Sequence, residues 1–424
     1  MKKILYKFRA LGPSILWASA AIGVSHIVQS TRAGANFGYI MLIAVILANI
    51  IKYPFFEFST RYTVVKNETV LDGYKKIGKW ALYLFTSLTF LTMFTIQAGV
   101  TRVTAAILKN WLNLDLSFIS CSLIILTLCI GLILFIKKKF FDSFIKILVL
   151  TLIVSTLISL FVTFDIDKEI SPTFVETKIL SYAGITFLIA LIGWMPSPLD
   201  LSAWSSIWII EKKTSGRDVS YIDNKFDFNF SYIWTSILAC AFIILGANVF
   251  YGSGIDFGSS ASKFVQQLAK LYSSLGPWAE NIILFTAFAT MFSTTLTCLD
   301  AFPKVIKKCY QLMVLKKSKK ITENTLLFFV VIGTIITIAF LGSHMRFLID
   351  LATILSFLTA PFIAILNFKL VFNNNFPSKF KPSKNLKLLA IFGIIFLIFF
   401  SIIFVPVSYT HLRAHETSLH LVCR

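Results

Sequence analysis

"GVSHIVQS", residues 23–30, sits inside the first long apolar run, and "GWMPSPLD", residues 193–200, sits inside the sixth. Each puts helix-breaking chemistry where an uninterrupted hydrophobic helix is expected. Glycine weakens the helical hydrogen-bond ladder, and the two prolines remove donors from it. In hydrocarbon, backbone groups freed in this way must line a cavity or bind something. The reading of these two stretches therefore decides what kind of bundle the chain forms.

The surrounding composition places both stretches in a membrane. The chain has 424 residues, is 57% hydrophobic and contains 43 phenylalanines. A soluble core cannot absorb that much apolar surface. The apolar runs are about 20 residues long, the length of a membrane-crossing helix, whereas barrel strands alternate over about 10. Spans are expected near 12–30, 39–58, 81–107, 116–136, 140–164, 181–209, 231–251, 278–300, 323–342, 346–370 and 386–406. The expected fold class is an all-α membrane protein of about 11 transmembrane helices.

The formal net charge of +20 follows from topology rather than from nucleic-acid binding. About 28 basic residues fall in alternate segments (Lys2, Lys3, Lys7, Arg9, Arg61–Lys79, Lys137–Lys139, Lys212–Lys225, Lys304–Lys320, Lys369–Lys387), against about 8 in the others, which puts the amino terminus in the cytoplasm. The run Lys316–Lys320 is read as topology and attraction to anionic lipid. Six cysteines show no pairing pattern and no CxxC, so neither a disulfide nor a zinc framework is expected. The basic start leads into a full-length span without a small-residue cleavage signal, unlike a removable signal peptide.

No remaining segment is long enough for a separate soluble domain, so residues 1–407 are read as one transmembrane unit. Breaks in spans one and six mark corresponding positions of two five-span halves. That is the sequence pointer to an inverted-repeat transporter with a mid-membrane site. Repeat one is placed at about 10–165, repeat two at about 178–372, and an extra helix at about 386–406. Residues 408–424 ("SYTHLRAHETSLHLVCR" and the residue pattern around it) change character abruptly. They resemble translated adaptor sequence and are set aside as non-native, together with the histidines at 411, 415 and 420.

With these residues in view, the chain resembles the Nramp (natural-resistance-associated macrophage protein) family of divalent-metal transporters. "AGANFGY", residues 33–39, is similar to the family's Ala-Gly-Ala-Gln-Phe-Gly-Tyr motif. Met195-Pro196-Ser197 stands at the family's Met-Pro-His. "FSTTLTCLD" (292–300) and "TAPFIAIL" (359–366) are weaker echoes of the eighth and tenth spans. In this register Gly23, Val24, Ser25 and His26 replace the family's Asp-Pro-Gly-Asn, so the chain resembles a divergent bacterial branch.

The resemblance implies a leucine-transporter-like bundle, two inverted five-helix repeats and alternating access. It also implies an ion held by side chains at His26 and Met195 with carbonyls near Ala20 and Ile192. Gly23 offers only backbone, and Ser25 and Ser197 enlarge the cavity. Thr359 stands where the family has a glutamine that reaches the ion.

Losing the aspartate removes the main anionic partner of a divalent cation. Nitrogen and sulfur donors favour later or softer transition metals, while a roomier site admits a hydrated ion. Manganese or iron is the cargo the resemblance implies, with magnesium admitted by the roomier site. His26 could couple transport to protons, since metal needs its neutral form. Asp200 is the nearest acid to the second break and the second candidate for charge compensation or coupling. Gln29 and Arg32 either line an access vestibule or end the first span at water. Lys52 and Glu57 are expected to pair near the membrane edge, as are Glu57 and Arg61.

The bland readings are a hydrogen-bonding helix-contact role for His26 and core packing for Met195. The expected setting is the bacterial cytoplasmic membrane, the partners are a divalent metal ion, lipid and protons, and no resident cofactor is expected. The competing reading keeps the fold and changes the cargo to an amino acid or amine. A sensor would need a soluble output domain, and an enzyme is ranked last because there is no HExxH and no convergent acid pair.

Overall fold

A computed structural model describes residues 13–135, 138–163, 170–172, 174–216, 220–254, 261–270, 277–314, 321–342 and 344–422. Lys2, Lys3, Lys7, Arg9, Lys137, Arg217, Lys316–Lys320 and Cys423, which entered the charge, topology and cysteine readings, lie outside the described residues.

The first span is built in three pieces. Helix α1 (Pro13–Ala21) stops at the glycine, a π-helical turn covers Ser25–Ser30, and α2 (Thr31–Phe37) completes the crossing. The second span, α3 (Met41–Lys66), contains Pro54 and ends at Asn67 in the left-handed region. It outruns the expected 39–58 because Glu57 and Arg61 satisfy each other within it, at 2.6 Å. A short helix α4 (Val70–Ile77), started by a Thr69/Asp72 capping box, leads into α5 (Lys79–Trp111). Then come α6 (Phe118–Phe135) and α7 (Lys138–Val162).

The sixth span is again split, into α8 (Tyr182–Trp194) and α9 (Leu201–Thr214), with Met195 to Asp200 between them. The remainder is α10 (Tyr221–Phe250), α11 (Ala261–Lys270), α12 (Pro277–Met313), α13 (Glu323–Leu341), α14 (Met345–Phe372) and α15 (Lys384–Val422). Eight helical stretches among the described residues are long and apolar enough to cross a membrane. With the two split spans and α7, they account for the eleven expected crossings. The segment set aside as a tail continues α15.

The fold's packing holds the split spans at its centre. Trp17 of α1 lies 5.3 Å from Phe56 of α3 and stacks at 5.5 Å on Tyr232 of α10. The half-helix α2 meets α10 through small residues. A side chain at Gly34 would collide with the Ile243 carbonyl, and one at Gly246 with the Thr31 carbonyl. Two backbones can come this close only where neither residue carries a Cβ. Asn367 of α14 ties three elements together: its amide donates to the Phe55 carbonyl and the Ser202 hydroxyl, and its oxygen accepts from Tyr74. The outward face is apolar, with Ile43, Ile46, Phe340 and Ile402 exposed as lipid contact requires.

Candidate functional site

Both interruptions are buried, and each exposes carbonyls that a neighbouring span covers. In the first, the Thr294 hydroxyl of α12 lies 2.9 Å from the Ser19 carbonyl and 3.1 Å from that of Ile22. Ser25 covers the Ala21 carbonyl at 2.7 Å. A Cβ built on Gly23 would stand 2.7 Å from the Thr294 hydroxyl oxygen. The glycine and the threonine are therefore complementary, and the room for a longer side chain at position 23 is filled from α12. The Ala20 carbonyl, named from the resemblance, receives none of these hydroxyls.

In the second interruption the cover is charged. Lys52 of α3 is completely buried, and its ammonium donates to the carbonyls of Ile192 (2.6 Å), Gly193 (2.8 Å) and Ser197 (3.3 Å). The expected Lys52–Glu57 pair at the membrane edge is thus corrected. Five residues of helix separate the two side chains onto different faces. Lys52 turns to the sixth span and Glu57 to Arg61. The Ile192 carbonyl, expected to face an ion, faces this ammonium instead. Asp200, at the start of α9 and also buried, accepts from the Thr92 hydroxyl of α5 at 3.1 Å and is the acid whose charge acts on Lys52.

His26 and Met195, expected on one ion, have different partners. The His26 Nε2 lies 3.0 Å from the Thr235 carbonyl of α10, and Nδ1 lies 2.7 Å from the Ser25 hydroxyl. A carbonyl can only accept, so Nε2 carries a proton, while Nδ1 faces a Ser25 hydroxyl whose one hydrogen also has the Ala21 carbonyl within reach. The group that meets the Met195 sulfur is the Ser30 hydroxyl, at 3.9 Å. Ser197 is buried, and its hydroxyl has no hydrogen-bond partner among the described residues. Thr359 spends its hydroxyl on the Ser356 carbonyl of its own helix. No group of three or more His, Cys, Asp or Glu side chains converges among the described residues.

Gln29 and Arg32 do not end the first span at water. Both are buried, and from the π-helical turn and α2 they reach α14. Arg32 lies 2.8 Å from Asp350, Gln29 donates to the same carboxylate at 3.1 Å, and the Arg32 guanidinium rests 5.0 Å from the Phe187 ring. Arg32, Phe187, Arg346 and Asp350 line a cavity of about 550 Å³ at the α2 end of the bundle. At the opposite end, a cavity of about 360 Å³ is bordered by Leu16, Trp208, Asp300 and Lys304, with Lys304 bridging Asp300 and Glu211.

Sequence reading missed Lys52, Thr294, Ser30 and Asp350 as parts of this arrangement. Lys52 carried a usable signal, because a charge inside a 20-residue apolar run is a functional candidate by default. Asp350, inside the expected 346–370 span, carried the same signal, whereas Ser30 and Thr294 carried little, since Ser and Thr are common in membrane helices.

Two interrupted spans packed at the centre of an all-helical membrane bundle define a fold of the leucine-transporter type. The family model for "natural resistance-associated macrophage protein-like" (Nramp) chains matches residues 14–406, and the chain belongs to that family, whose members are membrane transporters of divalent metal ions rather than enzymes. An uncharacterised protein of Pasteurella multocida (strain Pm70) is 34% identical over 404 residues, covering 94% of this chain and 92% of that one. Among solved structures, a variant of the Eremococcus coleocola manganese transporter superposes with a TM-score of 0.72 at 15% identity, covering 92% of this chain and 85% of that one. MhsT in complex with L-phenylalanine gives 0.62 at 12% identity, covering 93% and 98%.

Proposed function

We propose that the chain imports divalent metal ions across the bacterial cytoplasmic membrane by alternating access, with its amino terminus in the cytoplasm. Manganese and iron are the expected cargo, and magnesium is admitted as a hydrated ion. The observation that carries this reading is the meeting of the two interruptions at one soft donor, where Ser30 of the first span reaches the Met195 sulfur of the sixth. The unpartnered Ser197 hydroxyl lies two residues away in sequence. Sulfur selects borderline transition metals, while hydroxyls suit a cation that keeps part of its water. The Eremococcus coleocola relative in fold is named a manganese transporter, which supports the same choice. Proton coupling belongs to this reading, with His26 and Asp200 as the groups to carry it.

The test is uptake of manganese, iron and magnesium into proteoliposomes, with and without a pH gradient. The parent chain is expected to take up at least one of these ions, Met195→Ala to lose most of that uptake, and His26→Ala to lose less. Failure of all three ions to move would sink the reading.

A second reading is favoured by two observations: a lysine already holds the carbonyls of the sixth interruption, and among the described residues no acid cluster compensates a bare dication. The cargo would then be a small organic solute such as an amino acid or amine, and the fold neighbour MhsT is in complex with L-phenylalanine. Competition of labelled amino acids in the same vesicles separates the two.

A further inference from the structure

The sixth-span interruption has the form of a cation site. Ile192 and Gly193 contribute last-turn carbonyls of α8, where the aligned peptide dipoles concentrate partial negative charge. Ser197 adds a third carbonyl from beyond the break. Three convergent backbone oxygens at a half-helix C-terminus are the kind of oxygen set that holds a small cation in broken-helix proteins. Here the cation is part of the chain. An ammonium has three donors, and Lys52 places all three on these oxygens. Its side chain is 0% exposed, and no ion pair to it is found among the described residues. Asp200, a buried acid at the far side of the same interruption, is held by the Thr92 hydroxyl.

We propose that Lys52 is a tethered cation filling a cation-binding site in the sixth-span interruption, and that removing the tether turns the carbonyl cage into a site for a free monovalent cation or small alkylammonium. The cage geometry carries this by itself. Its consequence for cargo rests on the transport reading above: the Ile192 carbonyl is closed to a transported dication, and the break needs no second, co-bound ion to satisfy it. An ordinary packing lysine would have its ammonium at water or on a carboxylate. Lys52 does neither, and it reaches 140 residues along the chain to a point where the backbone lacks its own donors.

The experiment is thermal unfolding of the purified full chain in detergent, comparing the parent with Lys52→Ala. Each is titrated with sodium, potassium, methylammonium and propylammonium chloride against choline chloride at equal ionic strength. The parent is expected to respond to none of these beyond the choline control. Lys52→Ala is expected to melt lower and to recover at least half of the loss, saturably, with propylammonium or one of the small cations.

A Lys52→Ala protein as stable as the parent, or one that no cation restores, overturns the proposal. If Lys52→Ala yields no folded protein in any of these salts, Lys52→Arg and Lys52→Gln decide. The proposal requires the charged variant to melt higher than the neutral one, and the reverse order overturns it. None of these readouts involves transport, so their failure is separate from a failure of the parent chain to take up metal.

Discussion

The two interruptions solve one problem with different chemistry. In the first, a neutral hydroxyl, Thr294, lies over the carbonyls of Ser19 and Ile22. In the sixth, an ammonium lies over those of Ile192, Gly193 and Ser197. Neutral hydrogen bonds contribute about 0.5–1.5 kcal/mol each, and those to charged groups about 1.5–3. A hydroxyl can also rotate away without stranding a charge, whereas an ammonium cannot leave a buried cage so easily. On the proposed transport reading the two halves have different tasks: the first break opens its carbonyls to a passing cation, while the sixth, already occupied by an ammonium, offers the side chains of Met195 and Ser197.

The strongest way to break this comparison is Lys52→Met, which keeps length and apolar volume but removes the charge and all three donors. It should cost at least about 3 kcal/mol, since three hydrogen bonds from a charged group are lost and each contributes about 1.5–3 kcal/mol. Denaturant unfolding in detergent checks it, and parent-like stability would mean that the ammonium is not what satisfies the sixth break.

Next comes Gly23→Asp, which restores the residue that the family resemblance expects there. Its Cβ meets the Thr294 hydroxyl oxygen at 2.7 Å, so overpacking of about 1–3 kcal/mol is expected. Pairing it with Thr294→Ala should recover part of that loss. A double-mutant cycle measures the coupling, and strictly additive losses would show that the aspartate clashes elsewhere.

Thr294→Val removes the hydroxyl while keeping the shape, and should cost about 1–2 kcal/mol, less than Lys52→Met. If the order of those two were reversed in the same unfolding assay, the neutral cover rather than the charged one would be holding the core. Smallest in stability is Met195→Leu, under about 1.5 kcal/mol as a near-isosteric swap. Calorimetric titration with manganese should nevertheless show weakened binding, because only the sulfur has been lost. Unchanged binding would move the cargo away from the convergence of the two breaks.

Much of this architecture was legible from local chemistry. Gly23 and the Pro196–Pro198 pair announced where the helices stop, and α1 and α8 do end there. Met195 and Ser197 were placed in the sixth break by the same reasoning. The partners were less legible. Gln29 and Arg32 read as either vestibule or span end, and only the tertiary fold brought the Asp350 carboxylate of α14 within reach of both side chains. His26 read as an ion ligand because it stands in the break, but its ring direction depends on where the Thr235 carbonyl lies. Lys52 read as an edge residue because its nearest acid in sequence is Glu57. The π-helical turn at Ser25–Ser30 had no sequence signal beyond the glycine before it.

The sequence by itself determined that the chain lives in a membrane, crosses it about eleven times and breaks its first and sixth helices. Hydrocarbon tolerates only long apolar helices, and glycine and proline act on the backbone that carries them. Only the tertiary structure decided what covers the exposed carbonyls, because Lys52 and Thr294 act across 140 and 275 residues of chain. A freed carbonyl specifies that a donor must arrive, and only the packing of the spans determines which donor it is and whether it brings a charge.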